Sequence, residues 1–150
     1  MTRRHATMLN AAIIIAVFVI DRMTKVFFMT ETPHQILPSL LDTTTHRNFG
    51  LIANLPLPSW IILAFTMTVL AVIGWKLVHE LRREGGRASY ALSFIAGGAL
   101  GNLFDRLTLG YVFDWILFFN RSVMNVADIA ISIGIGWYMI QMSKTQTHAS

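Results

Sequence analysis

The 150-residue chain contains no cysteine. That removes a thiol nucleophile, disulfides, Cys-ligated zinc and iron–sulfur clusters together. Charge is also scarce: charged residues make up 13% of the chain, against ~25% in an ordinary soluble domain. Apolar residues make up 54%, and the mean hydropathy is +0.54. Such a composition excludes a disordered chain, a coiled coil and an ordinary soluble enzyme. The short catalytic signatures are missing too. There is no H-E-x-x-H, no G-x-S-x-G, no phosphate-binding loop and no dinucleotide fingerprint. The five histidines, His5, His34, His46, His79 and His148, fall in the tails and loops of the apolar pattern. A serine such as Ser93 or Ser132 would therefore lack its base, and Ser132 reads as a helix-packing residue. The net charge of +4 does not mark a nucleic-acid binder, because the basic residues follow the apolar segments and form no basic face.

What is abundant is long apolar runs. A helix needs ~20 mostly apolar residues to cross a bilayer, and four stretches qualify: 9–28, 59–78, 88–107 and 123–142. The length predicts one integral membrane domain over 1–150, with loops at 29–58, 79–87 and 108–122. Lys and Arg in short loops set orientation. Arg3, Arg4, Lys76, Arg82, Arg83, Arg87 and Lys144 lie at the termini and the middle connection, whereas the other two loops hold only Arg47 and Arg121. Both termini and loop 79–87 are thus expected in the cytoplasm. Trp60 and Trp115 fall near the outer boundary, and Trp75, Tyr90, Trp137 and Tyr138 near the inner one. The first run has no small-x-small cleavage site, so it reads as an uncleaved span rather than a removed signal peptide. Prolines at 33, 38, 56 and 58 favour turns and edge strands in the first outer loop, with short strands expected around Ile36–Leu41 and Phe49–Asn54.

Charged groups inside a bilayer cost at least ~2.5–3.5 kcal/mol each. Here they collect at one depth, the outer ends of three antiparallel spans. Asp21 and Lys25 lie in span one, Asn102, Asp105 and Arg106 in span three, and Asn125 and Asp128 at the start of span four. Each has a structural reading beside a functional one. Asp21 and Lys25 are spaced four apart with the acid first, which suits an intrahelical ion pair. Asn102 and Arg106 share a face and fit a buried clamp as well as substrate contact, with Asp105 as a third partner. Gly97, Gly98 and Gly101 permit close helix approach. Asn125 and Asp128 suit the cap and first turn of a helix. Asp114 alone interrupts an apolar run, Tyr111 to Phe119, where an acid is expensive unless something uses it. Asp114 and Asp128 flank one outer loop, so the chain can bring them together. Two close carboxylates share a proton. The ionised one can activate water, while the protonated one polarises a carbonyl and then protonates a leaving amine. Intramembrane acids serve transport as well, so a proton-coupled carrier using Asp21, Asp105 and Asp128 and a non-catalytic scaffold stay open at this point.

Read as blocks, Gly97-Gly98-Ala99-Leu100-Gly101-Asn102-Leu103-Phe104-Asp105-Arg106, Gly110-Tyr111-Val112-Phe113-Asp114 and Asn125-Val126-Ala127-Asp128 resemble the lipoprotein signal peptidases (signal peptidase II). Asp21-Arg22-Met23-Thr24-Lys25 and Asn48-Phe49-Gly50 are similar to two further elements of that family. Leu51 and Ile52 stand where the family usually has Ala and Phe. The resemblance implies an all-α membrane protein of four transmembrane helices with a small extracytoplasmic β-rich cradle. It implies an aspartic endopeptidase of the bacterial inner membrane that removes the signal peptide of diacylglyceryl-modified prolipoproteins, cutting before the lipidated cysteine near the periplasmic face. Asp114 and Asp128 match the catalytic acids. Asp21, Lys25, Asn48, Gly50, Asn102, Arg106 and Asn125 match substrate-contacting or supporting positions, with Asp105 inside the same block. No cofactor and no metal is expected. The expected partners are the prolipoprotein and membrane lipid, with no nucleic acid, and the protein is expected as a monomer.

Overall fold

Each long apolar run folds mainly as a helix, because none of the four contains a proline that would remove a backbone donor and break it. The structure is a computed structural model and describes residues 2–37, 40–50, 57–82 and 86–147. Helix α1 spans Arg3–Thr30, α2 Ser59–Arg82, α3 Arg87–Thr108 and α4 Val126–Thr147. Glu31 and Pro33 close the first helix by turning the backbone extended.

The chain between α1 and α2, and between α3 and α4, forms β-structure at one end of the bundle. Strands β1 (Gln35–Leu37), β2 (Leu41–Asn48), β3 (Val112–Phe118) and β4 (Ser122–Met124) make one antiparallel sheet in the order β1-β2-β3-β4. The strand expected around Ile36–Leu41 is divided instead between the end of β1, at Leu37, and the start of β2, at Leu41, and residues 38 and 39 fall outside the described residues. The one expected at Phe49–Asn54 is corrected: the strand ends at Asn48, Phe49 and Gly50 lie beyond it, and residues 51–54, Leu51 and Ile52 among them, fall outside the described residues. The loop expected over 108–122 contains β3, a seven-residue strand. Its β-branched and aromatic residues suit a pleated surface. The fourth helix starts at Val126 rather than 123, because Val123 and Met124 pair with Leu117 and Ile116 in the sheet.

Helix α3 is the central element, packed against α1, α2 and α4. Small residues on it allow this. A Cβ on Gly98 would stand 2.4 Å from the carbonyl oxygen of Ala127, and one on Gly101 would stand 2.6 Å from Asp21 Oδ2. These two positions let α4 and the Asp21 carboxylate approach the α3 backbone. At the other end of the bundle, Ile73, Leu77, Leu92 and Ala96 form a buried apolar cluster. Tyr90 and Phe94 lie against Trp137 there, and Lys76 donates to the hydroxyl of Tyr138. Trp115 instead stacks on Phe28 at 3.8 Å, fixing the sheet to the end of α1.

Among the described residues, α2 and α4 are long and apolar enough to cross a membrane. Their surfaces face outward and stay apolar, with Phe65, Met67, Ile133 and Met139 all exposed. Helices α1 and α3 are of comparable length, 28 and 22 residues, but carry charged groups in their sheet-proximal turns.

Candidate active site

The polar groups gather where the sheet meets α1, α3 and α4. Asp114 lies on β3 and is 1% exposed. Its register partner across the sheet is His46, so both side chains share one face. Asn48, on that same face, donates Nδ2–H to Asp114 Oδ2 at 3.1 Å. Asn125 donates Nδ2–H to Asp114 Oδ1 at 2.6 Å. Burial of the carboxyl pushes the Asp114 pKa up, and the nearby charge of Asp128 adds to this. The Asn48 and Asn125 amides and the Lys25 charge oppose the rise, leaving the value at about 6. Desolvation outweighs the hydrogen bonds.

Asp128 sits in the first turn of α4. The backbone N–H of Asp128 donates to Asn125 Oδ1 at 2.9 Å, and the N–H of Asn125 donates to Asp128 Oδ2 at 3.3 Å. This reciprocal pair is a capping box, which satisfies two otherwise orphaned donors of the helix end. The capping reading and the site reading of these residues both hold, because the cap also touches Asp114. Asn102 completes the link: its Nδ2–H donates to Asp128 Oδ1 at 2.8 Å, and its Oδ1 accepts from Asn125 Nδ2 at 3.2 Å. The two acids are thus joined through two asparagines that come from different elements.

Behind them lies a buried ion cluster. Lys25 Nζ is 3.0 Å from Asp21 Oδ2, 2.7 Å from Asp105 Oδ2 and 3.0 Å from Asn102 Oδ1. Lys25, Asp21 and Asp105 are all fully buried. The expected Asp21–Lys25 pair is present. Asp105, expected to join Asn102 and Arg106, turns instead to Lys25 and Arg22 and accepts the backbone N–H of Phe113. It touches neither Asp114 nor Asp128. Asp21 Oδ1 accepts the backbone N–H of Ala127 at 3.0 Å, an added cap on α4. Arg106 donates to the carbonyl oxygens of Gly50, at 3.0 Å, and Asn102, at 3.4 Å. Asn48 Oδ1 accepts the N–H of Gly50 at 3.0 Å. Asn48 thereby ties the loop after β2 to the same carboxyl that it supports.

Sequence reasoning missed three features. Arg22 bridges Asp21 and Asp105, and an arginine four residues from none of its partners gave no spacing signal. His46 faces Asp114 only because of the β2–β3 register, which includes an irregularity between Thr43 and His46. Asn10, fully buried near the start of α1 and away from the site, accepts from Ser93 at 2.7 Å and donates to Ser89 at 3.2 Å, pinning α1 to α3. A lone asparagine in an apolar run was the available clue. Among the described residues, no three His, Asp or Glu side chains are grouped so as to hold a metal.

Two cavities adjoin the site. One of about 60 Å³ opens beside Asn48 and Arg106, against Tyr111 and the start of α2. A larger one, about 260 Å³ and mostly apolar, is bounded by Leu41, Asp42, Trp115, Ile116, Phe118 and Ile129. Ile116 and Phe118 follow Asp114 at two-residue steps and so share its face.

The sequence model of signal peptidase (SPase) II matches residues 13–144. The chain belongs to the signal peptidase II family. Family membership makes it a peptidase concerned with lipoprotein processing. It is 36% identical to a lipoprotein signal peptidase of Brevibacillus brevis over 89% of this chain and 92% of that one. It is 33% identical to a lipoprotein signal peptidase of Pseudomonas aeruginosa over 89% and 87%. The fold is that of a bacterial membrane enzyme solved by the in meso method at 2.3 Å resolution, with a TM-score of 0.78 and 24% identity over 95% of this chain and 92% of the other.

Proposed function

We propose that the protein is an aspartic endopeptidase that removes the signal peptide of diacylglyceryl-modified prolipoproteins, cutting before the lipidated cysteine. The observation that carries this reading is the coupling of Asp114 and Asp128 through Asn125 and Asn102. Asp114 holds the shared proton, in keeping with a carboxyl pushed up to about 6. Asp128 is the ionised partner, since the N-terminus of α4 and two N–H donors favour its anion. Asp128 takes a proton from water as the water oxygen bonds to the scissile carbonyl carbon. Asp114 donates a hydrogen bond to the developing oxyanion. The C–N bond then breaks, and Asp114 delivers its proton to the leaving amine. Asp128 is left protonated, and that proton returns to Asp114 before the next cycle. No electrons are exchanged, and the dyad is restored.

The same reading extends to the rest of the chain. All four helices cross the bacterial inner membrane as one domain, with spans near 9–28, 59–78, 88–107 and 126–142. Both termini and loop 79–87 face the cytoplasm, and the sheet and the site face the periplasm. The protein acts as a monomer. Asn48, Gly50, Asn102, Arg106 and Asn125 hold the acids and the substrate-facing loop, while Asp21, Lys25 and Asp105 support them from behind. The apolar cavity along β3 suits the hydrocarbon parts of a lipid-linked substrate.

The test is cleavage of a diacylglyceryl-modified prolipoprotein peptide by the purified protein in detergent. Asp114→Asn and Asp128→Asn should each lower kcat by about 10²–10⁴-fold while the protein stays folded. Retained cleavage in either folded variant would overturn the dyad.

A further inference from the structure

We propose that Lys25 is a positioning residue for the reaction, its buried ammonium fixing which end of the Asn102 amide meets Asp128. The inference rests on the dyad reading above. An ammonium has three N–H donors, and Lys25 has three acceptors: Asp21 Oδ2, Asp105 Oδ2 and Asn102 Oδ1. The cluster's charge is already balanced without the third contact, because two cations, Lys25 and Arg22, face two anions, Asp21 and Asp105. The third donor is directed at an uncharged amide that leads to the site.

That amide has two unlike ends. Asn102 Oδ1 receives both Lys25 Nζ at 3.0 Å and Asn125 Nδ2 at 3.2 Å, so both lone pairs are used. Nδ2 is thereby turned to Asp128 Oδ1 at 2.8 Å. A rotated amide would set its N–H₂ against the ammonium and against the Asn125 N–H₂, and its oxygen against the Asp128 carboxylate. Every one of those contacts would become unfavourable. The consequence reaches Asp114 as well. Asn125 Nδ2 sits between Asn102 Oδ1 and Asp114 Oδ1, and loses its first acceptor if the Asn102 amide turns. One ammonium that hydrogen-bonds neither acid thus determines that both are met by N–H donors. The charged groups around it are Asp21 and Arg22 on α1, Asp105 and Arg106 on α3, Asp114 on β3 and Asp128 on α4.

The rival role is a plain anchor between α1 and α3. Lys25→Met, Asn102→Asp and Arg22→Gln separate the two. Asn102→Asp keeps acceptors for Lys25 and Asn125 but, like the rotated amide, presents oxygen rather than N–H to Asp128; it also adds one negative charge beside Lys25, and Asn102→Leu, which removes the N–H without that charge, is run with it. Arg22→Gln removes two ion pairs and leaves the Lys25–Asn102 contact. The readouts are Tm and the pH dependence of kcat and KM on the diacylglyceryl peptide, for the full chain in detergent. Lys25→Met and Asn102→Asp should each lower kcat about a hundredfold with KM little changed, and both should move the acid limb of kcat to higher pH. Arg22→Gln should lower Tm and leave the limb in place. A Lys25→Met protein with lowered Tm and an unmoved limb would reduce Lys25 to an anchor. If Lys25→Met does not fold, Asn102→Asp decides, and a kcat and limb like the parent's overturn the proposal. Asp114→Asn and Asp128→Asn, run alongside, show whether the dyad reading itself stands.

Discussion

Asp21, on α1, accepts the backbone N–H of Ala127, on α4, at 3.0 Å. One helix therefore caps another, through a carboxylate that also faces Lys25 and Arg22. Asp21→Ala leaves the buried Lys25 and the half-buried Arg22 short of an anion and frees an orphaned N–H. Breaking a buried pair from one side costs about 3–5 kcal/mol. Asp21→Asn keeps an oxygen for Ala127 and should cost less. Thermal unfolding in detergent should rank them parent, Asn, Ala. Equal Tm values for Asn and Ala would show that the cap contributes nothing.

Asp114 gives stability a pH dependence of defined sign. Its carboxyl is raised to about 6 in the fold, against ~3.9 in an unfolded chain. Between these values the folded form holds a proton that the unfolded form has released. The stabilising contribution is full below pH ~4 and is lost as pH rises through about 6. Asp114→Asn removes the ionising group, so its Tm advantage over the parent should grow between pH 4 and 7 and level off above. The full effect is up to about 3 kcal/mol. A Tm difference independent of pH would contradict this. On the proposed mechanism the same variant should also lose activity, so the acid would serve the reaction at the expense of stability.

The close contact at Gly98 gives a paired test. Gly98→Ala would drive a methyl to 2.4 Å from a backbone oxygen of α4, whereas Gly136→Ala meets nothing within 4 Å. Overpacking costs typically ~1–3 kcal/mol, and here it displaces the turn that carries Asp128. Gly98→Ala should lower both Tm and kcat, and Gly136→Ala should leave both near the parent's or raise Tm slightly. Similar behaviour in the two variants would argue against tight α3–α4 packing.

His46 stands across the strand pair from Asp114. Like charges placed directly opposite on a sheet repel. His46→Asp should therefore raise the Asp114 pKa further and carry the alkaline limb of kcat upward, whereas His46→Asn should leave it near the parent's. A limb that does not move in His46→Asp would mean the two side chains are screened from each other.

How legible all this was in the sequence depended on period and distance along the chain. The helices follow from apolar runs, and the Asp21–Lys25 pair from i,i+4 spacing. The gathering of Asn102, Asn125 and Asp128 at one depth followed from helix direction alone. Strand β3 was hidden, because Val112–Phe118 is apolar on both faces and shows no alternation. With it went the facing of His46 and Asp114, which depends on a register set by an irregularity in β2. The turn of Asp105 toward Arg22 and Lys25 was equally hidden, since a helix wheel places a carboxylate on a face but does not choose between partners on two neighbouring helices.

Asn125 is the single residue between the last strand and the last helix, and its amide lies between the two acids. There is no slack on which the sheet could rock without turning that amide. On the proposed mechanism the joint of the molecule and its chemistry are the same residue, so stiffness here is a property of the catalyst rather than of the scaffold. A ligand that wedges the sheet away from the bundle would silence the enzyme without touching either carboxylate.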